Sequence, residues 1–115
     1  MTTQLGPETA IADLVRSLQR EGVDAHVVPA GADKRDSLRL FGQALDFPQW
    51  YGHNLDALFD CLLTFVHDAP APVHVIWDGT ARLRADHPDA YVAIIQVLDD
   101  VEAEKPTFAA TVVDR

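Results

Sequence analysis

The stretch FPQWYGHNLDALFDCLLTF, residues 47–65, joins an aromatic loop to an amphipathic helix. Phe47-Pro48 ends any helix before it, because the residue before a proline is biased away from helical dihedral angles. Asn54 is a favoured N-cap, and the apolar spacing that follows it predicts a helix to about Val66. At about 100° per residue, one face of this helix is apolar and belongs in a core; it carries Leu55, Leu58, Leu62 and Val66.

On both sides of this stretch, helical and extended patterns alternate. Helices are predicted over residues 9–21, 33–45 and 88–104, and strands over residues 24–29, 73–78 and 107–113. Thr9 is expected to cap the first helix, and Pro88 to open the last. Strands separated by helices predict an α/β fold, a small three-stranded parallel sheet packed by helices with right-handed crossovers. Residues 1–8 are expected to form a flexible tail, and residues 9–115 a single domain.

The 115-residue chain carries 18 Asp and Glu against 9 Lys and Arg, for a net charge of −9. No Lys or Arg occurs between Arg39 and Arg82, or within residues 85–104. Such a field repels nucleic acid and anionic membranes and attracts basic partners, although a need for solubility also explains it.

Targeting signals are not evident in the sequence. No apolar run approaches the roughly 18–20 residues that span a bilayer, and residues 1–10 lack the pattern of a signal peptide. The single cysteine, Cys61, has no partner for an internal disulfide, which fits a reducing compartment. We therefore expect a cytoplasmic protein.

Two pairs of acidic residues stand out on the predicted helices. Asp56 and Asp60 are four residues apart on the side opposite the apolar face, with no Lys or Arg in that helix to relieve them. The helix dipole favours Asp56 in the first turn, whereas Asp60 lies mid-helix. Asp100 and Glu104 repeat the spacing in the last helix. A solvated helix surface explains each pair; alternatively, the two pairs together imitate the phosphates of a nucleic acid.

Residues 47–62 resemble the signature of the barstar family of intracellular ribonuclease inhibitors. The shared pattern is a proline, two aromatic residues, Gly, one variable residue, Asn, Leu-Asp-Ala-Leu, an aromatic residue and Asp-Cys-Leu. Weaker similarity extends from about Asp24 to Val113, so the helix of residues 9–21 is an addition. The resemblance implies a three-stranded parallel sheet surrounded by helices. It also implies a bacterial inhibitor or immunity protein, without catalytic activity, that plugs the basic active site of a secreted-type ribonuclease.

The resemblance also implies which residues contact the partner. They are Trp50, Tyr51, Gly52, His53, Asn54, Asp56, Phe59, Asp60, Thr64, Phe65, Asp100 and Glu104. Asp56 and Asp60 match the two acids that meet the enzyme's phosphate-binding Arg and His residues, and Trp50 matches the aromatic that lies over its catalytic His. Asp100 matches a further acid that pairs with a basic residue, and Glu104 one with a smaller role.

Three positions depart from the family pattern. His53 replaces what is usually an acid, and Thr64-Phe65 stands where Gly-Trp is common. Phe59 stands where the family often has Trp, and its helical angle suits either the core or the contact surface. These departures concern the partner, since the fold does not depend on them.

Two other functions stay open on the sequence alone. His53 with Asp56 and Asp60 is conceivable as the acid–base set of a small enzyme, but there is no nucleophile with an adjacent base and no Gly-rich phosphate loop. The 5 His lack zinc-ligand spacing and the acids are too scattered for an EF-hand, so no cofactor and no metal are expected. The second alternative is an immunity or regulatory partner of a different basic toxin or protein. As an inhibitor, the free chain is expected to be a monomer that binds neither nucleic acid nor membrane.

Overall fold

Strands and helices alternate along the chain in a computed structural model that describes residues 1–115. The strands are β1 (Thr3–Leu5), β2 (Asp24–Pro29), β3 (Val73–Asp78) and β4 (Phe108–Val113). The helices are α1 (Ile11–Arg20), α2 (Lys34–Ala44), α3 (Leu55–Asp68), α4 (Ala81–Asp86) and α5 (Pro88–Glu104). Every helix and strand predicted from the periodicity is present, with ends that differ by no more than the usual one or two residues.

The four strands form one parallel sheet in the order β1-β4-β3-β2. Val73 at the start of β3 pairs with Asp24 on one side and Phe108 on the other. The predicted parallel α/β architecture is therefore confirmed. The strand count is corrected, because the sheet has four strands and the chain five helices, whereas three strands were expected.

The additional strand β1 lies inside the segment predicted as a flexible tail. Its three residues pair with Thr111–Val113 of β4, and the Asp114 N–H donates to the Leu5 carbonyl at 2.9 Å. Three residues are too few to show the alternation of a half-buried strand, and Thr3 and Gln4 are polar and exposed. The strand therefore depends on the exposed edge of β4, which a local pattern does not reveal.

The main core lies between one face of the sheet and helices α2, α3 and α5. Its fully buried side chains include Phe41, Leu58, Trp77 and Leu98. Helix α5 packs on β4 and α2 packs on β2, while α3 lies between them in contact with both helices. None of the helices is both long enough and apolar enough to cross a membrane.

A second, smaller layer covers part of the other face of the sheet. Ile76 and Val113 are fully buried but lie outside the main core, as expected from the alternation of side chains along a strand. Helix α1 packs against β2 and contributes nothing to the main core, which places it on this second face. The second face is therefore covered only in part, since Val27 of β2 is 39% exposed and no residue of α1 is buried, whereas β4 is buried along nearly its whole length, in agreement with its nearly continuous apolar composition.

Capping follows the predictions at two helices and differs at one. Asn54 caps α3 and Pro88 opens α5, as expected. The Thr9 prediction is wrong: its hydroxyl donates to the Gly6 carbonyl at 2.8 Å, and Ala10 stands at the N-cap of α1 without a side-chain hydrogen bond. The hydroxyl of Thr9 thus closes a turn instead of satisfying the N-terminal amides of the helix.

Candidate partner-binding site

Helix α3 exposes two acids, Asp56 in its first turn and Asp60 near its middle, to solvent. Leu58 and Leu62 are fully buried, and the period of 3.6 residues then places Asp56 and Asp60 on the opposite side, where both are exposed. The helix begins at Leu55 because the Asn54 side-chain oxygen accepts a hydrogen bond from the Ala57 N–H at 2.8 Å. Neither carboxylate forms a salt bridge, so both charges are left without a counter-charge.

The second acidic pair, Asp100 and Glu104, is exposed on α5. One flank of α5 faces the β1 edge of the sheet, because Asp99 accepts hydrogen bonds from the Thr2 N–H at 2.6 Å and from its hydroxyl at 2.7 Å. At about 100° per residue, Asp100 and Glu104 lie on the other flank of α5, and α5 packs against α3. The two pairs therefore lie on neighbouring helices, and we call the surface formed by Asp56, Asp60, Asp100 and Glu104 the acidic face.

The two adjacent aromatic residues of the loop before α3 have opposite environments. The Trp50 side chain is 71% exposed, whereas Tyr51 is only 6% exposed. The Tyr51 hydroxyl donates to the Leu38 carbonyl at 2.8 Å, and its ring packs edge-on against Phe47 at 5.0 Å between centroids. Burial raises the pKa of the Tyr51 phenol well above its usual range. Trp50 is thus placed as expected for a partner contact, but the Tyr51 side chain is in the core and not on the surface.

Two glycines make room for this loop. A Cβ on Gly42 of α2 would lie 2.7 Å from the Tyr51 ring, so only glycine allows the ring to pack this close to the helix. A Cβ on Gly52 would lie 3.0 Å from the side-chain nitrogen of Asn54, the residue that caps α3. Gly52 is exposed, and a side chain at this position would crowd the capping amide of Asn54.

Residues in the left-handed backbone region stand near both ends of the loop. Asp46 has φ 54° and His53 has φ 51°, values that are uncommon for residues with a Cβ and cluster at functional sites. The partly buried His53 ring lies edge-on to Tyr51, with 5.0 Å between centroids, and borders Arg35 and Arg39 of α2. His53 forms no side-chain hydrogen bond with Asp56 or Asp60.

The remaining predicted contact residues of α3 divide between solvent and core margin. Thr64 is exposed, whereas Phe59 and Phe65 are partly buried and pack against the main core. The Phe65 ring also lies edge-on to His26 at 5.2 Å. Phe59 therefore lies at the margin of the core, with part of its side chain still accessible.

A pocket of about 390 Å³, which the sequence analysis did not anticipate, opens beside α3 on the flank away from α5. We call it the lateral pocket. It is formed by the edge strand β2, the loop between α2 and α3, and the C-terminal half of α3. Its lining residues are Asp24, His26, Leu45, Asp46, Phe47, Pro48, Trp50, Cys61, Thr64, Phe65, Asp68, Ala69 and Pro70. Asp46 and Asp68 were visible in the sequence only as members of a stretch without Lys or Arg, and Asp24 lies outside that stretch, since residues from three separate segments build the pocket.

Cys61 is a buried thiol and not an activated nucleophile. It is 3% exposed, and burial followed by the charge of Asp60 raises the pKa of the thiol. Its sulfur is therefore protonated at neutral pH, whereas a reactive cysteine needs a lowered pKa. No group of three or more His, Cys, Asp or Glu side chains is arranged to hold a metal ion.

Comparison with known proteins identifies one family. No curated protein matches the chain. Residues 28–113, well over half of the chain, match the family described as Barstar (barnase inhibitor). The match begins within β2 and ends at the last residue of β4, so it includes α3, α5 and the loop with Trp50, while β1 and α1 lie outside it. The chain belongs to the barstar family of barnase inhibitors.

Proposed function

We propose that this chain inhibits a basic, barnase-type ribonuclease by covering the active site of the enzyme with the acidic face and with Trp50. The chain performs no chemistry in this role; it excludes RNA and supplies carboxylates where the nuclease expects phosphates. It would act in the cytoplasm, as a monomer until it meets the enzyme.

The observation that carries the proposal is the pair of exposed carboxylates on α3 without counter-charge. Asp56 and Asp60 point outward from a helix whose other face is fixed by Leu58 and Leu62 in the core. A rigid helix holds both charges in place before binding, so little ordering entropy is lost on association. A repeated, fixed negative charge complements a site built to bind phosphate.

The flanking groups extend the same surface. Asp100 and Glu104 add negative charge from the neighbouring helix α5, and Trp50 offers a 71% exposed ring that suits a ring-on-ring contact. Phe59 and Thr64 lie on the two sides of the α3 stripe that carries Asp60. Asn54 acts indirectly, because its side chain caps the start of α3, and Gly52 leaves room for that side chain.

The test is inhibition of RNA hydrolysis by a barnase-type ribonuclease, with the Asp60→Asn variant beside the unaltered chain. Removing one partner of a desolvated charge pair costs about 2–5 kcal/mol, which is about 30-fold to several thousand-fold in the inhibition constant. That range comes from complexes of this same family and not from the present structure. Asp60 has no ion pair, and relief of its repulsion with Asp56 is worth only about 0.2–0.5 kcal/mol, so the melting curve should hardly move.

Glu21→Gln is the matched control, because Glu21 is exposed after α1, on the second face of the sheet, and also has no ion pair. It changes the net charge by the same amount and should leave inhibition within twofold. The proposal fails if the unaltered chain does not inhibit, or if both variants weaken inhibition equally. If the chain neutralises a basic toxin of another class and does not inhibit the ribonuclease, that toxin replaces the ribonuclease as the partner.

A further inference from the structure

We propose that the lateral pocket is a binding site for an arginine side chain. The arginine would belong to a basic partner that binds the adjacent acidic face, and only this identification of the partner rests on the proposed function. The chemistry of the pocket stands on its own residues.

The pocket has aromatic walls of fixed orientation. The Phe65 ring is held edge-on by His26 at 5.2 Å and lies 6.4 Å from the Phe47 ring, with 70° between the planes. Trp50 supplies a further, 71% exposed ring at the opening. Rings at these angles leave faces on which a flat cation can stack.

Three carboxylates surround these walls, and all of them are free. Asp24, Asp46 and Asp68 come from β2, the loop and the end of α3, and none forms a salt bridge. No Lys or Arg is among the lining residues, so the only ionisable nitrogen at the pocket belongs to His26. The backbone at Asp46 is in the left-handed region, with φ 54°.

The end of α3 adds a further preference for a cation. Asp68 is the last residue of the helix, and Ala69 and Pro70 also line the pocket. The C-terminus of a helix carries a partial negative charge from its unsatisfied carbonyls. The buried Cys61 thiol, which forms no salt bridge or disulfide, completes the apolar part of the lining.

These features favour a guanidinium over an ammonium group. A guanidinium is planar, stacks on aromatic faces, and donates to carboxylates in its own plane while its faces stay in apolar contact. It is also more weakly hydrated than an ammonium, so a half-apolar pocket takes it up more readily. The pocket volume of about 390 Å³ lies at the small end of the roughly 300–1,000 Å³ of small-molecule sites, which suits one side chain.

The position of the pocket connects it to the acidic face. Thr64, which lines the pocket, stands four residues after Asp60 in α3, so the two side chains are neighbours one turn apart on the helix. A partner that places its active site over Asp60 therefore brings its neighbouring surface over the pocket. A basic protein offers arginines there, and the net charge of −9 attracts one.

The experiment titrates the ¹⁵N-labelled chain with Nα-acetylarginine amide and follows the amide shifts and the Trp50 indole N–H. Nα-acetylcitrulline amide, which has nearly the same shape without the charge, is the control ligand. We expect saturable shifts centred on Phe47, Phe65 and Asp68 with the arginine probe, and at least fivefold weaker binding of the citrulline probe. Equal affinities, or shifts spread over the acidic face without the pocket residues, overturn the proposal.

Asp46→Asn and Asp68→Asn remove the charge without a change of shape, and Asn also tolerates the left-handed backbone at position 46. Each should weaken the arginine probe at least threefold, whereas Glu21→Gln should leave its affinity unchanged. Unchanged binding in both pocket variants would overturn the site. This titration contains no nuclease, so its result is independent of the inhibition assay. A chain that fails to inhibit RNA hydrolysis can still bind the arginine probe, and a chain that inhibits but does not bind the probe refutes only the pocket proposal.

Discussion

Replacement of Tyr51 by Phe tests whether this residue holds the loop in place or contacts the partner. The substitution removes a single hydroxyl and keeps the ring that packs against Phe47, His53 and Gly42. The lost interaction is the hydrogen bond of 2.8 Å to the Leu38 carbonyl, in a position with 6% exposure. The surface that a partner meets is unchanged.

The expected cost to stability follows from this one bond. A buried hydrogen bond between neutral groups contributes about 0.5–1.5 kcal/mol, so Tyr51→Phe should lower the free energy of unfolding by about that amount. Tyr51→Ala also removes the ring and opens a cavity, for which about 3–5 kcal/mol is usual. Since small domains have about 5–15 kcal/mol in total, the first variant stays folded and the second approaches the limit.

The pH dependence gives an independent readout. Burial raises the pKa of Tyr51 in the folded state above the value of about 10 for an unfolded chain. The stability from a neutral buried phenol is therefore fully present below pH about 10 and is lost as the pH rises toward the folded-state pKa. Tyr51→Phe should make the loss of stability above pH 10 shallower; Tyr91, whose pKa burial and Asp114 raise to about 12, still contributes.

Urea melts at pH 7 and pH 10.5 measure both effects, and the ribonuclease assay measures inhibition. We expect a lower midpoint with an unchanged slope, a flatter alkaline limb, and inhibition within twofold of the unaltered chain. Unchanged stability with inhibition weakened tenfold or more would mean that the hydroxyl faces the partner, and the assignment of Tyr51 to the core would be wrong.

Three further predictions concern the core, the second sheet face and the charge. Leu62→Ala should lower the free energy of unfolding by about 2–5 kcal/mol in a denaturant melt, because Leu62 is fully buried. Cys61→Ala should stay folded and inhibit almost normally, and loss of inhibition by this variant without unfolding would contradict the prediction. Burial, opposed by the charge of Glu102, lowers the pKa of His74, whose ring nitrogen lies 2.7 Å from the Thr111 hydroxyl. The free energy of unfolding should therefore fall as the pH drops below about 6.5, and His74→Gln should flatten that fall in melts at different pH values. The association rate with a basic ribonuclease should drop steeply as salt rises, since a Debye length of about 8 Å at physiological ionic strength screens exposed charges, while a salt-independent rate in stopped flow would exclude steering by the acidic face.

The helices and three of the strands follow from local periodicity. Leu58, Leu62 and Val66 repeat at helical spacing, and Asn54 supplies a cap, so the extent of α3 and the outward direction of Asp60 are readable without coordinates. These features depend on neighbours within one or two turns, which is the range that a periodic pattern reports. The family could also be recognised from the sequence, because the motif of residues 47–62 is contiguous, and the match over residues 28–113 confirms it.

The loop before α3 marks the limit of that reasoning. Trp50 and Tyr51 are adjacent, aromatic and equally suited to a contact, yet one is 71% and the other 6% exposed. A loop has no repeating geometry from which a side chain's direction follows. Burial of the Tyr51 ring depends on the absence of a Cβ at Gly42, a residue on a different helix.

What the sequence determined by itself was therefore the amphipathic helices, the apolar strands, the acidic character and the family. The tertiary structure decided three things: the pairing of β1 with β4, the burial of Tyr51, and the lateral pocket. The physical reason is the same in each case, because the contacts join segments far apart in the chain. β1 needs the edge of β4, more than 100 positions away, and the pocket needs β2, the loop and the end of α3 together. A local pattern reports only neighbours in the sequence, whereas these contacts form only when the core has brought distant segments together.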